Sequence, residues 1–286
     1  MLTAATPVLV ERGLAFAEGI NFDRDGTLYC VDWIGGGIWR RPPDGPLHEW
    51  IRTGGNPNGS RFGPGGDLFV AECGCRAILR LSTTTGHVTV YANRCDGEPL
   101  LGPNDLCFAP DGTLYFTDPG TSSLGDRYGT VRAVTPDGTV TRIAEGLAMP
   151  NGIAVAPDGV TLIVAETYTG LLRRYSLEAG SRYEELAPLT ILTPARGPGA
   201  DGRNDAGPDG MTLGADGNLY VAHAGSGFVQ VISPAGTIIA HLAAGGPGPT
   251  NVAFWRNSLY VTEGWSGAIY RLDIDVREHP PFMRPW

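Results

Sequence analysis

One short pattern occurs six times in this chain, and it limits the fold more than any other feature. The copies are AEGINFDRDGTLYCVDW, PNGSRFGPGGDLFVAEC, PNDLCFAPDGTLYFTDP, PNGIAVAPDGVTLIVAE, PDGMTLGADGNLYVAHA and PTNVAFWRNSLYVTEG, with equivalent positions 40 to 58 residues apart. Each copy joins an apolar-alternating strand to a second strand of the LYV type, in most cases through an Asp-Gly or Gly-Gly turn, which is the mark of a β-hairpin. More strand-like sequence follows each hairpin, as in GLLRRYSL and GFVQVISP. An isolated sheet of three or four antiparallel strands buries too little apolar surface, so such units must stack on their neighbours and the series must close. The expectation is an all-β, six-bladed β-propeller, with residues 1–286 as one domain. The N-terminal TPVLVERG reads as a strand with no partner of its own, and is expected to complete the final blade and close the ring.

Composition agrees with many turns: the chain has 42 Gly and 23 Pro, while 42 % hydrophobic residues exclude a disordered or collagen-like chain. No long 3.6-residue period appears, so helices should be scarce. The net charge of −9 and the lack of a basic cluster argue against a nucleic-acid partner. No apolar stretch is long enough to span a bilayer, and the N-terminus lacks the basic start of a signal peptide, so a cytoplasmic location is expected. Five cysteines, an odd number, favour reduced thiols, and the C-x-C of Cys73 and Cys75 lacks the partner pair of a zinc site. The segment from Leu186 to Pro208 breaks the repeat and is expected to form a long loop over one face.

Alignment of the hairpins on their turns puts Glu18, Asn58, Asn104, Asn151, Asp209 and Thr250 at one equivalent position. In a propeller the first strand of each blade lines the channel, so these six should ring one mouth of it. Taken singly, Asn-Gly and Asp-Gly are turn formers. Here the same place is always polar while the true turn lies several residues later. Carboxylates and amides gathered on an axis repel or lack partners unless something positive sits among them. All the donors are oxygens, which suits a hard divalent cation, Ca²⁺ ahead of Mg²⁺, Mn²⁺ or Zn²⁺. Asp32 and Trp33, Glu72, Asp118, Glu166 with Tyr168, His223, and Glu263 with Trp265 end the second strands and are expected to wall a substrate site. A GxSxG elbow is absent, and a Ser-His-Asp triad has little support.

FAEG at 16–19, GPNDLCFAPDGTLYFTDP at 102–119, MPNGIAVAPDG at 149–159 and GPDGMTLGADGNLYVA at 207–222 resemble the family of senescence marker protein 30, gluconolactonases and related lactonases, with its calcium-dependent phosphotriesterase cousins. The resemblance covers essentially the whole chain. It implies a six-bladed propeller with one divalent cation, held by Glu18, Asn104, Asn151 and Asp209, and an acid–base or nucleophilic role for Asp209. It implies hydrolysis of a lactone, an ester-type reaction on a small molecule. Alternatives within the fold are a phosphotriesterase-like or non-hydrolytic enzyme of specialised metabolism, and a non-enzymatic binding propeller. Further contacts to substrate are expected from Asn58, Asn104, Asp118, Tyr168, His223, Trp33 and Trp265. Animal members carry an arginine two residues before the channel asparagine, where this chain has Gly102, which puts a sugar lactone in doubt.

Overall fold

In a computed structural model the described residues are 5–178, 183–192 and 206–279. They form six four-stranded antiparallel sheets and a short two-stranded ribbon, with no helix among them. Blades I to VI begin with the inner strands Ala17–Phe22, Pro57–Phe62, Leu106–Phe108, Pro150–Val155, Gly207–Leu213 and Pro249–Trp255. Each inner strand touches the inner strands of its two neighbours, so the six surround one axis. The outermost strand of blade VI is Val8–Arg12, paired antiparallel with Ala268–Asp273. The ring is thus closed by the N-terminal strand, as its unpartnered sequence predicts.

Period-2 alternation explains how one sheet serves two interfaces. In Leu28–Asp32, Leu28 and Cys30 pack toward blade VI with Ala253 and Ile269, while Tyr29 and Val31 pack toward blade II with Leu68 and Val70. The apolar core is accordingly six clusters, one between each pair of adjacent blades.

One expectation is corrected here. Leu186–Ile191 is not loop but most of the outermost strand of blade IV, Glu185–Ile191, paired with Leu171–Ser176. Residues 207 and 208 already belong to the inner strand of blade V. The rest of the supposed loop, 193–205, lies outside the described residues. Pro188 hides the strand in the sequence, because a proline has no amide to give a ladder and is tolerated only where no further strand follows.

The polar ends of the second strands have a structural job. Asp32 accepts the amides of Ala15, Phe16 and Gly35 (2.8, 2.9 and 2.9 Å). Asp118 accepts those of Leu101 and Gly102 and is 2.9 Å from Arg132. Glu263 accepts from Gly248 and Ser266. Glu72 accepts from Thr53 and Cys75. Asp32, Glu72 and Glu263 thus fasten the chain arriving at an inner strand to the turn leaving the second strand, and Asp118 fastens it to Arg132 of the third strand. Glu166 is the fullest case, taking the Ala148 amide (2.8 Å), the Thr169 hydroxyl (2.8 Å) and the guanidiniums of Arg173 (2.6 Å) and Arg127 (3.3 Å). Glu166→Ala is expected to lower unfolding stability by about 3–5 kcal/mol, because it leaves the buried Ala148 amide unpaired and takes from Arg173 its buried counterion, leaving it only the more exposed Glu185. Urea denaturation of the two proteins measures the loss.

Candidate functional site

The aligned polar positions owe their orientation to bulges. In blades I, II, IV, V and VI the register between inner and second strand slips at or beside this position; for example, Pro57 faces Glu72 but Ser60 faces Val70. A bulge re-aims the side chain it carries and ends the regular ladder. In blade III, Asn104 and Asp105 precede the inner strand, held by Thr117 through the backbone (2.9 Å) and its hydroxyl (3.0 Å).

Contacts at this level run right round the axis. Ser60 donates to the Gly19 carbonyl (2.7 Å), the Gly59 amide to the Asn104 carbonyl (2.6 Å), and Thr117 to the Asn151 carbonyl (2.8 Å). Thr167 donates to the Pro208 carbonyl (2.8 Å), and Thr250 to the Ala17 carbonyl (2.7 Å). Between blades V and VI, the bare Gly210 faces the Asn251 carboxamide. The strands approach so closely that a side chain on Gly152 would overlap the Asp209 carbonyl, which explains why Asn151 is followed by glycine.

Within this ring Glu18, Asn104, Asn151, Asp209 and Thr250 are buried, and Asn58 is partly exposed. The Glu18 carboxyl is pushed up to about 8, mainly by burial and further by the charge of Asp105, against the opposing Gly19 amide and Asn251 side chain. The Asn104 Oδ1 is enclosed and has no hydrogen-bond partner. An enclosed acceptor of that kind needs a donor or a cation. Among the described residues no three carboxylate, imidazole or thiol groups gather at one point. A cation here would therefore rest on two carboxylates, Glu18 and Asp209, together with amide and backbone oxygens. An all-oxygen set with two negative charges fits a hard divalent ion.

Two polar residues of the ring were not singled out in the sequence, Asp105 and Asn251, each one place beyond the aligned position. Asp105 is buried and pushed up to about 6, chiefly by burial, with Arg61 opposing; its Oδ1 accepts the Leu106 amide (2.8 Å), while its Oδ2 is enclosed without a hydrogen-bond partner. The signal was present, because the other four copies have glycine there.

The expected substrate wall divides. Trp33, Tyr168 and Trp265 are partly exposed. Trp33 meets Phe16 edge to face at 5.2 Å, Phe16 also lies against Gly264 of blade VI, and Trp265 lies against Gly248. Asp118, by contrast, is wholly buried with both oxygens engaged, and it acts through the loop it holds rather than as a wall. His223 takes the equivalent place in blade V. Gln230 donates to its Nδ1 (3.2 Å) and accepts from His241, while its Nε2 is enclosed without a partner. Burial first, then the nearby His241, holds this imidazole down at about 4, so it is neutral at pH 7. Gly102 has φ +147°, and its amide is fixed on Asp118; a Cβ there would lie 3.1 Å from the Cys73 sulfur, so this position carries no arm over the site.

A family model described as the SMP-30/gluconolactonase/LRE-like region matches residues 16–264. The chain belongs to this family. Among characterised relatives of the SMP-30/gluconolactonase/LRE-like family, a gluconolactonase of Zymomonas mobilis is 28 % identical over 273 residues, covering 87 % of this chain and 75 % of the relative. Lactonase drp35 of Staphylococcus aureus is 30 % identical over 238 residues, 79 % of this chain and 68 % of the relative. A solved gluconolactonase from Xanthomonas campestris superposes with a TM-score of 0.80 at 25 % identity, covering 96 % of this chain and 90 % of that one. A calcium-binding regucalcin from Agrobacterium tumefaciens gives 0.79 at 22 %, covering 96 % and 95 %, and shares the fold.

Proposed function

We propose that this protein hydrolyses a lactone with the help of a divalent cation, calcium first, held by Glu18, Asn104, Asn151 and Asp209. The observation that carries the reading is the enclosed, unpartnered Asn104 Oδ1 in the same ring as Glu18 and Asp209. The named activities of the gluconolactonase and lactonase relatives support the substrate class. Such an ion supplies Lewis acidity toward the lactone carbonyl and makes a nearby water more acidic.

The chain's own groups do the rest. Asp209 takes the proton from the attacking water. Water oxygen then bonds to the carbonyl carbon, the ring C–O bond breaks, and the departing oxygen gains a proton to leave a hydroxy acid. Direct attack by Asp209 on the carbonyl is the other route open to it. Asn58 and the aromatic surface of Trp33, Tyr168 and Trp265 orient the substrate. With no side chain at Gly102 and so much aromatic surface, a less polar lactone fits better than a sugar lactone.

The test is elemental analysis of the purified protein, followed by a screen of aliphatic and sugar lactones with and without chelator. Hydrolysis should depend on the ion, be lost with chelator and return with calcium, and favour the aliphatic lactones. Full activity in chelator would defeat the reading. A scaffold propeller is disfavoured because binding alone gives no reason to bury Glu18 beside Asp105.

A further inference from the structure

We infer that the opposite mouth of the channel holds a second site, for an amphipathic carboxylate, centred on Arg61. Beyond Glu18, Asn58 and Asn104 the inner strands continue through Asn21, Arg61 and Cys107 into a cavity of about 320 Å³ on the hairpin-turn side. Its walls are mainly apolar, with Phe108, Met211 and the pair Phe22 and Trp255, stacked at 5.4 Å, while Asp23, Arg24, Glu278 and His279 edge it with Arg61. This volume and lining are those of a small-molecule pocket.

The guanidinium of Arg61 opens on this cavity in an unusual state. Its side chain is only 20 % exposed, and its Nε is enclosed without a partner. No hydrogen bond joins it to another described residue. Its nearest counterion, Glu278, stands 3.8 Å from Nη1, beyond hydrogen-bond length, with a side chain 45 % exposed. Asp105 faces the guanidinium from the channel interior and lowers its isolation by charge alone: its Oδ1 is on the Leu106 amide, and its enclosed Oδ2 makes no hydrogen bond to Arg61. Asp23, the other carboxylate on this face, caps its own turn through the amides of Asp25 and Thr27 (3.0 and 2.8 Å). A guanidinium presents five donors in a planar fork that matches a carboxylate, and here no described residue fills that fork.

Apolar walls around that fork select against a hydrated inorganic anion and for a carboxylate on an aromatic or aliphatic body. Glu278 competes for the same guanidinium. It is carried there by the strand-like run 277–279, which is pinned to blade V by Ala215 to Arg277 and His279 to Leu213 backbone hydrogen bonds (2.8 Å each). The site is separate from the proposed catalytic mouth, on the far side of the Glu18 ring.

Calorimetry on the full chain with octanoate, and with 1-octanol as the uncharged control, tests the assignment. Octanoate should bind about tenfold more tightly than octanol. Arg61→Gln should erase that preference, and Glu278→Gln should strengthen octanoate binding severalfold by removing the competitor. Glu18→Gln should change neither. Should Arg61→Gln fail to fold, crystals of the unaltered protein soaked in p-iodobenzoate decide, since the iodine signal is expected in this cavity with the carboxylate on Arg61. Equal binding of octanol and octanoate, a preference surviving Arg61→Gln, or an iodine signal only at the Glu18 mouth would each overturn it.

Discussion

Glu18→Gln and Asp209→Asn are each expected to lower kcat for lactone hydrolysis by about 10³-fold, the equivalent of several kcal/mol of transition-state stabilisation. Both exchanges keep shape and remove charge. Glu18 is buried beside Asp105 and the Asn251 amide, and Asp209 is buried next to the close passage of Gly152. Neither exchange opens a cavity, so the loss should appear in kcat while the midpoint of thermal unfolding without calcium holds or rises. The rise has a cause at Glu18: without calcium the folded protein must take up a proton there that the unfolded chain at neutral pH does not hold, a cost that a permanently neutral amide lacks. The two variants should differ in one respect. Glu18→Gln should recover part of its rate at high calcium, because it weakens binding alone. Asp209→Asn should not, because its carboxylate also takes the proton. Steady-state kinetics across a calcium series separate these, and an Asp209→Asn enzyme with unaltered kcat would remove Asp209 from the reaction.

What was legible in the sequence depended on how local the cause was. The polar set from Glu18 to Thr250 could be read because the copies share one offset from the turn, and the bulge that re-aims this position recurs at the same offset in five blades, so equivalent residues stay equivalent. Ring closure by Val8–Arg12 was legible for the same reason, a strand lacking a local partner. The work of Asp32, Asp118 and Glu166 was not, because their donors come from loops such as 15–16, 101–102 and 148, which meet them only when a blade packs against the one before it. These residues look like rim acids in one dimension and are loop fasteners in three. Asp105 was hidden differently. Asn-Asp at 104–105 resembles an ordinary turn pair, and only the closeness of the six inner strands turns the second residue into a channel group that acts on Glu18.

Calcium affinity should fall about tenfold for each pH unit below 8, and thus about a thousandfold between pH 8 and pH 5. The cause is the Glu18 proton. Burial, and after it the charge of Asp105, raise this carboxyl from 4.5 to about 8, so in the cation-free protein it is protonated at neutral pH and a cation must displace the proton. For an acid whose folded value is raised, the stabilisation is complete below the unfolded value and disappears as pH climbs through the folded one. The cation-free protein should therefore lose stability from about pH 4.5 to 8, while the stabilisation gained from added calcium grows over the same range. Asp105, raised to about 6, adds to the trend between about pH 4 and 6. His223 acts with the opposite sign: its imidazole is lowered from 6.5 to about 4, so its contribution is present above 6.5 and lost as pH falls toward 4. Calorimetry in buffers of different ionisation enthalpy distinguishes the sources, because only Glu18 predicts release of nearly one proton per calcium at pH 7, and Glu18→Gln should abolish that release while leaving the acid-side loss from His223 in place. An affinity that is flat from pH 5 to 8 would mean that Glu18 is already ionised in the free protein, and the crowding of Glu18 and Asp105 would then need a resident positive charge other than the added ion.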